Sequence, residues 1–160
     1  FKEYVAIAVG ELDRDSDYVE AALKHHPHER EKMVVCDPHD PEAKAASSYY
    51  EVMERFRGYT LVKVQPRTGR THQIRVHLLH VGCPVLADKQ YGGRDRFTLA
   101  DAVPWLPRER DEVLLHRQAL HAYRLRFRHP NKGTWLEVEA PFPPDMRRVL
   151  AALREHRPLR

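Results

Sequence analysis

The chain has 160 residues, of which 42% are hydrophobic and 31% are charged, a composition typical of one folded domain with its own core. No apolar run approaches the length needed to cross a bilayer, and no secretory signal is visible, so we expect a cytoplasmic protein without a membrane partner. The formal net charge of +4 favours a polyanionic partner.

Strand patterns dominate the first half of the chain. Residues 1–9 are mostly small or branched around Tyr4, which predicts a buried strand. Residues 11–44 are polar and contain histidine and proline, and we expect mainly loop with a short helical or strand piece. Residues 48–57 and 58–66 are predicted to be paired strands.

A helix is predicted to follow, from Thr71 to about Val81. Thr71 is the candidate N-cap, and Gly82 is the candidate residue just past the end. Residues 93–111 form a charged stretch with two prolines around a tryptophan, which predicts a loop insertion.

The last third of the chain predicts a short helix, a hairpin and a final helix. The short helix is expected near residues 115–121. Apolar and arginine side chains then alternate over 123–128, which predicts a strand whose hairpin partner is 134–140. A helix is expected after Pro143, with its apolar side chains in one stripe. Together these segments predict an α+β fold: a mixed, mainly antiparallel sheet with flanking short helices.

The most informative segment is residues 67–78, where a strand turns into a helix. Gly69 is expected to permit a sharp turn, and Arg67, Arg70 and Arg75 lie within nine residues. The unpaired N–H groups at a helix start favour an anion, and arginine can pair with phosphate or carboxylate through two hydrogen bonds. A solvated, capped helix start would explain Thr71 without explaining this accumulation of charge.

This segment resembles the diagnostic motif of RluA-type pseudouridine synthases, which isomerise uridine in ribosomal or transfer RNA. Further segments resemble blocks of that family in the same order. The matching segments are Lys2-Glu3-Tyr4-Val5-Ala6, Thr68-Gly69-Arg70-Thr71-His72-Gln73-Ile74-Arg75-Val76-His77, Pro84-Val85-Leu86-Ala87-Asp88-Lys89-Gln90-Tyr91-Gly92, Leu115-His116-Arg117-Gln118-Ala119-Leu120-His121-Ala122 and Phe127-Arg128-His129-Pro130. Ala87 stands where the family has Gly, and Ser48, in a further matching block, stands where Thr is usual.

The resemblance implies an RNA-modifying isomerase that uses no metal or organic cofactor. Its nucleophile is an aspartate in an Arg-Leu-Asp-x-x-Thr-Ser-Gly motif, which this chain lacks. We therefore expect residues 1–160 to be the C-terminal part of a single catalytic domain, an incomplete pseudouridine synthase fold that is inactive alone. A structured RNA is the expected partner, and a monomer the expected state. The alternative is a non-catalytic RNA-binding module of the same fold.

The resemblance also assigns candidate roles to particular side chains. Tyr4 corresponds to the active-site tyrosine that lies against the target base, although composition alone is equally consistent with a core tyrosine. Arg75 corresponds to the arginine that pairs with the catalytic aspartate, and its position beside the apolar stripe predicts a half-buried guanidinium that needs an acid. No acid lies within its motif, so the expected partner is in a segment outside the chain. The remaining candidates, expected to contact RNA or the base, are Arg70, His72, Gln73 and Ile74.

Two other groups of polar residues are expected to have no catalytic role. Asp88 is predicted to be a turn residue that bonds local backbone. The chain has 11 histidines, including His25, His26 and His28 in one loop, but no cysteine or carboxylate completes a common ligand pattern. We therefore expect no metal site.

Overall fold

The computed structural model describes residues 1–159, which form a six-stranded sheet, two two-stranded sheets and three α-helices. None of the helices within these residues is long and apolar enough to cross a bilayer. The elements are β1 (Lys2–Val9), β2 (Ser16–Glu20), β3 (Leu23–His25), β4 (Met33–Val35), β5 (Ser47–Phe56), β6 (Tyr59–Pro66), α1 (Gln73–His80), β7 (Phe97–Thr98), α2 (Leu99–Ala102), the 3-10 turn η1 (Arg108–Arg110), β8 (Val113–Leu115), β9 (Leu120–Arg128), β10 (Trp135–Glu139) and α3 (Pro144–His156).

Six strands form the main sheet in the order β10-β9-β1-β6-β5-β2, and each neighbouring pair is antiparallel. β1 lies inside the sheet because Val5, Ala6, Ile7 and Ala8 are fully buried and small enough for both faces to be covered. The predicted α+β fold with a mainly antiparallel sheet is confirmed. The predicted pairing of residues 48–57 with 58–66 is confirmed as well, since β5 and β6 pair around a turn at Gly58.

The polar stretch 11–44 contains more strand than its composition indicates. β2 adds an edge to the main sheet, and β3 and β4 form a separate hairpin. Leu23 and Met33 bury this hairpin against Val76 of α1 and against Tyr91. A few apolar residues are enough because they fall on one side of two very short strands, a pattern too brief to read reliably from sequence.

The expected loop insertion 93–111 is only partly a loop. It contains β7, α2 and η1, and Phe97 at its start is 1% exposed. Thr98 and Asp101 cap α2 reciprocally through side-chain and backbone bonds. Trp105, at 75% exposure, does belong to a loop at the surface.

The helix predicted near residues 115–121 is absent from the structure. β8 ends at Leu115 and β9 begins at Leu120 instead. The backbone between β8 and β9 is hydrogen-bonded to distant parts of the chain instead of to itself. Ala119 accepts a hydrogen bond from the Ile7 N–H and donates one to the Leu86 carbonyl. The final hairpin, β9 and β10, and the final helix, α3, are confirmed.

Candidate functional site

A cleft of about 500 Å³ opens between the start of β1 and the segment that joins β6 to α1. We call it the first cleft. It brings together every side chain that the sequence nominated, namely Tyr4, Arg70, His72, Gln73, Ile74 and Arg75. Leu120 adds to the apolar part of its lining, and Lys2 and Arg67 add positive charge. No carboxylate of residues 1–159 lines the first cleft.

The turn into α1 is built differently from the prediction. Thr71 is not the N-cap; His72 holds that position, with a left-handed φ of 56° and no side-chain cap bond. Gly69 does not have a left-handed φ, and an added Cβ would meet nothing within 4 Å, so its conformation does not require glycine. Left-handed φ is uncommon outside glycine, although histidine is among the more tolerant residues. Gly82, with a φ of 83°, ends the helix as predicted.

Gln73 holds this turn together from inside. Its side chain is 3% exposed, and its Oε1 accepts bonds from Thr68 Oγ1 at 2.6 Å and from the Arg70 N–H at 3.1 Å. Its Nε2 donates to the Ser47 carbonyl at 2.8 Å and to Ser48 Oγ at 2.9 Å. All of its hydrogen-bonding capacity is therefore used within the protein. This corrects the expectation that Gln73 contacts RNA: the side chain fixes the loop whose arginines face the first cleft.

A buried histidine continues the Gln73 network into the core. His77 Nδ1 lies 2.8 Å from Ser48 Oγ, and Nε2 lies 2.9 Å from the Ala21 carbonyl. Because a carbonyl can only accept, Nε2 carries the proton and Nδ1 accepts from the serine hydroxyl. Burial lowers the pKa of His77 below its ordinary value, so the neutral ring is the stable form at neutral pH.

His72 is hydrogen-bonded to Tyr91, which lies in the segment after α1. Its Nδ1 lies 2.7 Å from the Tyr91 hydroxyl, which also accepts the Met33 N–H at 2.8 Å. Tyr91 therefore joins the start of α1 to the β3–β4 hairpin. Burial lowers the pKa of His72, and the nearby charge of Arg75 lowers it further. His72 thus enters the first cleft as a neutral ring, not as a cation for phosphate.

Arg75 is half-buried, as predicted, but its acidic partner lies within the chain. Its Nε and Nη2 donate to the two carboxylate oxygens of Asp88 at 2.7 and 2.8 Å. Nη2 also donates to Gln90 Oε1 at 2.7 Å, and the guanidinium lies 4.8 Å from the centre of the Tyr91 ring. The expectation that the acidic partner of Arg75 comes from outside the chain is therefore wrong for Nε and Nη2. Nη1 forms no hydrogen bond within residues 1–159, and Arg75 lines the first cleft.

Asp88 has two roles, of which the sequence predicted one. Its Oδ1 accepts from the backbone N–H groups of Gln90 and Tyr91 at 3.2 and 3.3 Å, which confirms the predicted turn role. The same buried carboxylate, 1% exposed, also orients Arg75. The signal that could have found this pair is the need of a half-buried arginine for an acid. Asp88, 13 residues further on, is the acid that the next turn brings back to α1.

Tyr4, on β1, lines the first cleft and also packs against the edge of the core. It is only partly buried, whereas the four residues that follow it are fully buried. Its hydroxyl forms no hydrogen bond with any described residue, and its ring shares the lining with Ile74 and Leu120. An aromatic face beside two aliphatic side chains is a surface on which a planar base can stack.

In the histidine-rich loop, a histidine side chain stabilises a turn of the backbone. His26 Nδ1 accepts the backbone N–H groups of His28 and Glu29 at 3.1 and 3.0 Å. Within residues 1–159, no three metal-ligating side chains come together.

Comparison with known proteins decides the family. The model of the family described as RNA pseudouridylate synthase matches residues 1–80, half of the chain. The chain belongs to this family. A human protein titled RNA Pseudouridylate Synthase Domain Containing 1 has the same fold, with a TM-score of 0.68 and 25% identity over 96% of this chain and 65% of its own.

Curated relatives named Ribosomal large subunit pseudouridine synthase D are similar over almost the whole chain. The one from Haemophilus ducreyi is 40% identical over 153 residues, and the one from Escherichia coli K12 is 37% identical over 153 residues. Each alignment covers 96% of this chain but only 45% and 44% of the relative. The chain thus spans about half the length of the curated relatives it matches.

Proposed function

We propose that the protein to which this chain belongs isomerises uridine to pseudouridine in RNA. The observation that carries the proposal is Arg75, which lines the cleft that holds Tyr4, is fixed by Asp88 and Gln90, and has an Nη1 without a hydrogen bond to any described residue. A rigid guanidinium with one open side is suited to receive a second carboxylate. Membership of the family supports the assignment of that carboxylate as the nucleophile.

The reaction breaks the bond between uracil N1 and ribose C1′, turns the base, and rejoins it through C5. We infer that the attacking aspartate comes from a part of the protein beyond these 160 residues and that Arg75 keeps it ionised and oriented. A neighbouring positive charge lowers the pKa of a carboxyl group, which favours the nucleophilic form. Tyr4 holds the extruded base and assists removal of the C5 proton, while Ile74 packs against the ring. No metal or organic cofactor is needed for these steps.

The proposed substrate is ribosomal RNA, since the similar curated proteins are named for the large ribosomal subunit. Arg67, Arg70 and Lys2 place positive charge at the rim of the first cleft, where the backbone around a flipped nucleotide would lie. Transfer RNA offers the same backbone chemistry and is the second substrate candidate. We further propose that the protein acts in the cytoplasm as a monomer.

The alternative is an RNA-binding module of the same fold that performs no chemistry. Release of tritium from C5-labelled uridine in an unmodified large-subunit ribosomal RNA transcript separates the two. The full-length protein should release tritium, and the 160-residue chain alone should bind RNA without releasing it. Binding without release by the full-length protein would support the module instead.

Arg75→Lys tests the site within that assay. Lysine keeps the charge but cannot hold Asp88 and a second carboxylate at once, so kcat should fall by about 100-fold or more. The Kd for RNA should change by less than about threefold, since one charge is retained. Arg108→Lys, at an exposed position outside the first cleft, is the matched control and should leave both values unchanged. Equal losses in kcat and affinity would contradict the role given to Arg75.

A further inference from the structure

A second cleft, of about 490 Å³, adjoins the first and shares Gly69 and Arg70 with it. Its other walls come from the β3–β4 hairpin and from the segment before β5. Three more basic side chains line it: Lys24 and Arg30 of the β3–β4 hairpin, and Lys44 of the segment before β5. Nothing in the sequence motifs indicated this convergence, because the four basic residues are scattered between positions 24 and 70.

The charge of the second cleft is largely uncompensated. Lys24 is paired with Asp40 at 2.7 Å, and among residues 1–159 Glu42 is the one acidic residue that lines the cleft. Arg30, Lys44 and Arg70 take part in none of the ion pairs formed within residues 1–159. Cations gathered in this way repel one another in the free protein. A ligand with several negative charges would relieve that repulsion.

Hydrogen bonds fix the backbone that carries these side chains. Lys44 is joined to Leu23 by two backbone bonds, of 2.8 and 2.9 Å, which attach it to β3. The hairpin is attached to α1 through the bond from the Met33 N–H to the Tyr91 hydroxyl. Arg70 Nε donates to the Ala45 carbonyl at 2.8 Å, and its two terminal nitrogens form no bond within the described residues. The guanidinium therefore lies between the clefts in a set orientation, with donors to spare.

We propose that the second cleft binds a backbone phosphate of the RNA strand next to the nucleotide held in the first cleft. The proposal rests on the proposed function, which places the target uridine beside Tyr4. Because Arg70 lines both clefts, a strand that leaves the first cleft past this side chain enters the second. Arginine and lysine donors without carboxylate partners match phosphate oxygens, and a covalently continuous polyanion can reach both clefts at once. An acidic peptide would match the charge of the second cleft, but it would not be covalently joined to the nucleotide in the first cleft.

The test compares the full-length protein with two double variants that remove the same charge. Arg30→Ala/Lys44→Ala removes two exposed cations of the second cleft, and Arg108→Ala/Arg110→Ala removes two exposed cations outside it. Binding of the unmodified ribosomal RNA transcript is measured at several salt concentrations. The cleft variant should flatten the slope of log K against log[salt] by about 0.7, the contribution of one phosphate contact on a single strand. The control variant should change it by less than half as much, and its kcat at saturating RNA should be unchanged.

Apart from unchanged slopes, two outcomes would overturn the phosphate site. One is an equal change of slope in both double variants, which would show a general effect of net charge. The other is displacement of the RNA by polyglutamate as readily as by unlabelled RNA, which would indicate a surface for acidic protein segments. Lys44→Arg, which keeps the charge, should retain the slope. Absence of tritium release from the unaltered protein would refute the proposed function, whereas intact release with unchanged slopes would refute the phosphate site alone.

Discussion

At the scale of single residues, the guanidinium of Arg75 shows how geometry limits what a side chain can do. Of its five N–H donors, three are directed at Asp88 and Gln90, and the two on Nη1 remain. Its packing on the Tyr91 ring restricts rotation further. The need for an acidic partner follows from the sequence, because a half-buried arginine must be paired. The identity of that partner does not follow from the sequence, because it depends on which residue the turn after α1 places beside Arg75.

His77 gives a prediction for stability against pH. Burial holds the pKa of this histidine in the folded state below its ordinary value of 6.5, so the unfolded chain binds more protons once the pH falls below that value. The free energy of unfolding should therefore decrease as the pH falls through about 6.5, by at most about 1.4 kcal/mol per pH unit for one group. His77→Gln should weaken this dependence, as measured by denaturant unfolding at pH 7.5 and 5.5.

A second histidine also contributes to the pH dependence of the free energy of unfolding, and an exposed histidine offers a control. The pKa of His72 is also lowered by burial, so some dependence should persist in His77→Gln. His116 is exposed, and His116→Gln should leave the full dependence in place. Identical pH profiles for the unaltered protein and His77→Gln would show that His77 is not the group responsible.

At the scale of elements, the turn that carries Asp88 depends on a close backbone approach. An added Cβ on Gly92 would lie 2.9 Å from the Asp88 carbonyl oxygen and 3.1 Å from that of Val85. Backbone atoms cannot give way as a flexible side chain would, so Gly92→Ala should lower the free energy of unfolding by about 1–3 kcal/mol. Gly69→Ala is the matched control, because its Cβ would meet nothing within 4 Å, and it should change stability by less than about 0.5 kcal/mol. Equal losses in the two variants would contradict this account of the turn.

The elements also differ in how far sequence could predict them. Alternation of apolar and basic residues predicted β9, and an apolar stripe after a proline predicted α3, because each element has one clear face. The segment before β9 has a helix-like pattern but is not helical, since its Ala119 backbone is hydrogen-bonded to Ile7 of β1 and to Leu86 in the turn after α1. The β3–β4 hairpin was missed for the related reason that three-residue strands carry almost no periodic signal.

At the scale of the whole molecule, the first cleft was predictable and the second was not. The side chains nominated for the first cleft come mostly from one continuous motif, so local sequence held most of the information, and Tyr4 was added through the resemblance. The basic residues of the second cleft come from three separate segments: the β3–β4 hairpin, the stretch before β5 and the turn into α1. Only the fold brings them together, and no pattern of spacing along the chain reports such a convergence. Net charge indicated a polyanionic partner without indicating where it would bind.

Stability should be unevenly distributed across the sheet, with its lowest values at the β10 edge. β10 pairs with β9 alone, and every one of its residues is exposed. Apolar side chains on this hairpin remain open to water, with Phe127 at 37%, Leu136 at 38% and Val138 at 53% exposure. β1, in contrast, is paired on both sides and carries fully buried side chains. Because little apolar burial opposes opening, β10 should open locally while the rest of the sheet remains folded.

Hydrogen exchange on the 160-residue chain measures this difference directly. Amides of residues 136–138 should exchange at least about 100-fold faster than those of residues 5–8, relative to their intrinsic rates. The amides of α3 near Val149 and Leu153, both fully buried, should be protected like β1 and serve as the internal reference. Exchange is followed at two protein concentrations, since self-association over the exposed hairpin would slow β10 only at the higher one. Equal protection of β10 and β1 at both concentrations would show that the sheet opens as one unit and that edge exposure does not control its local stability.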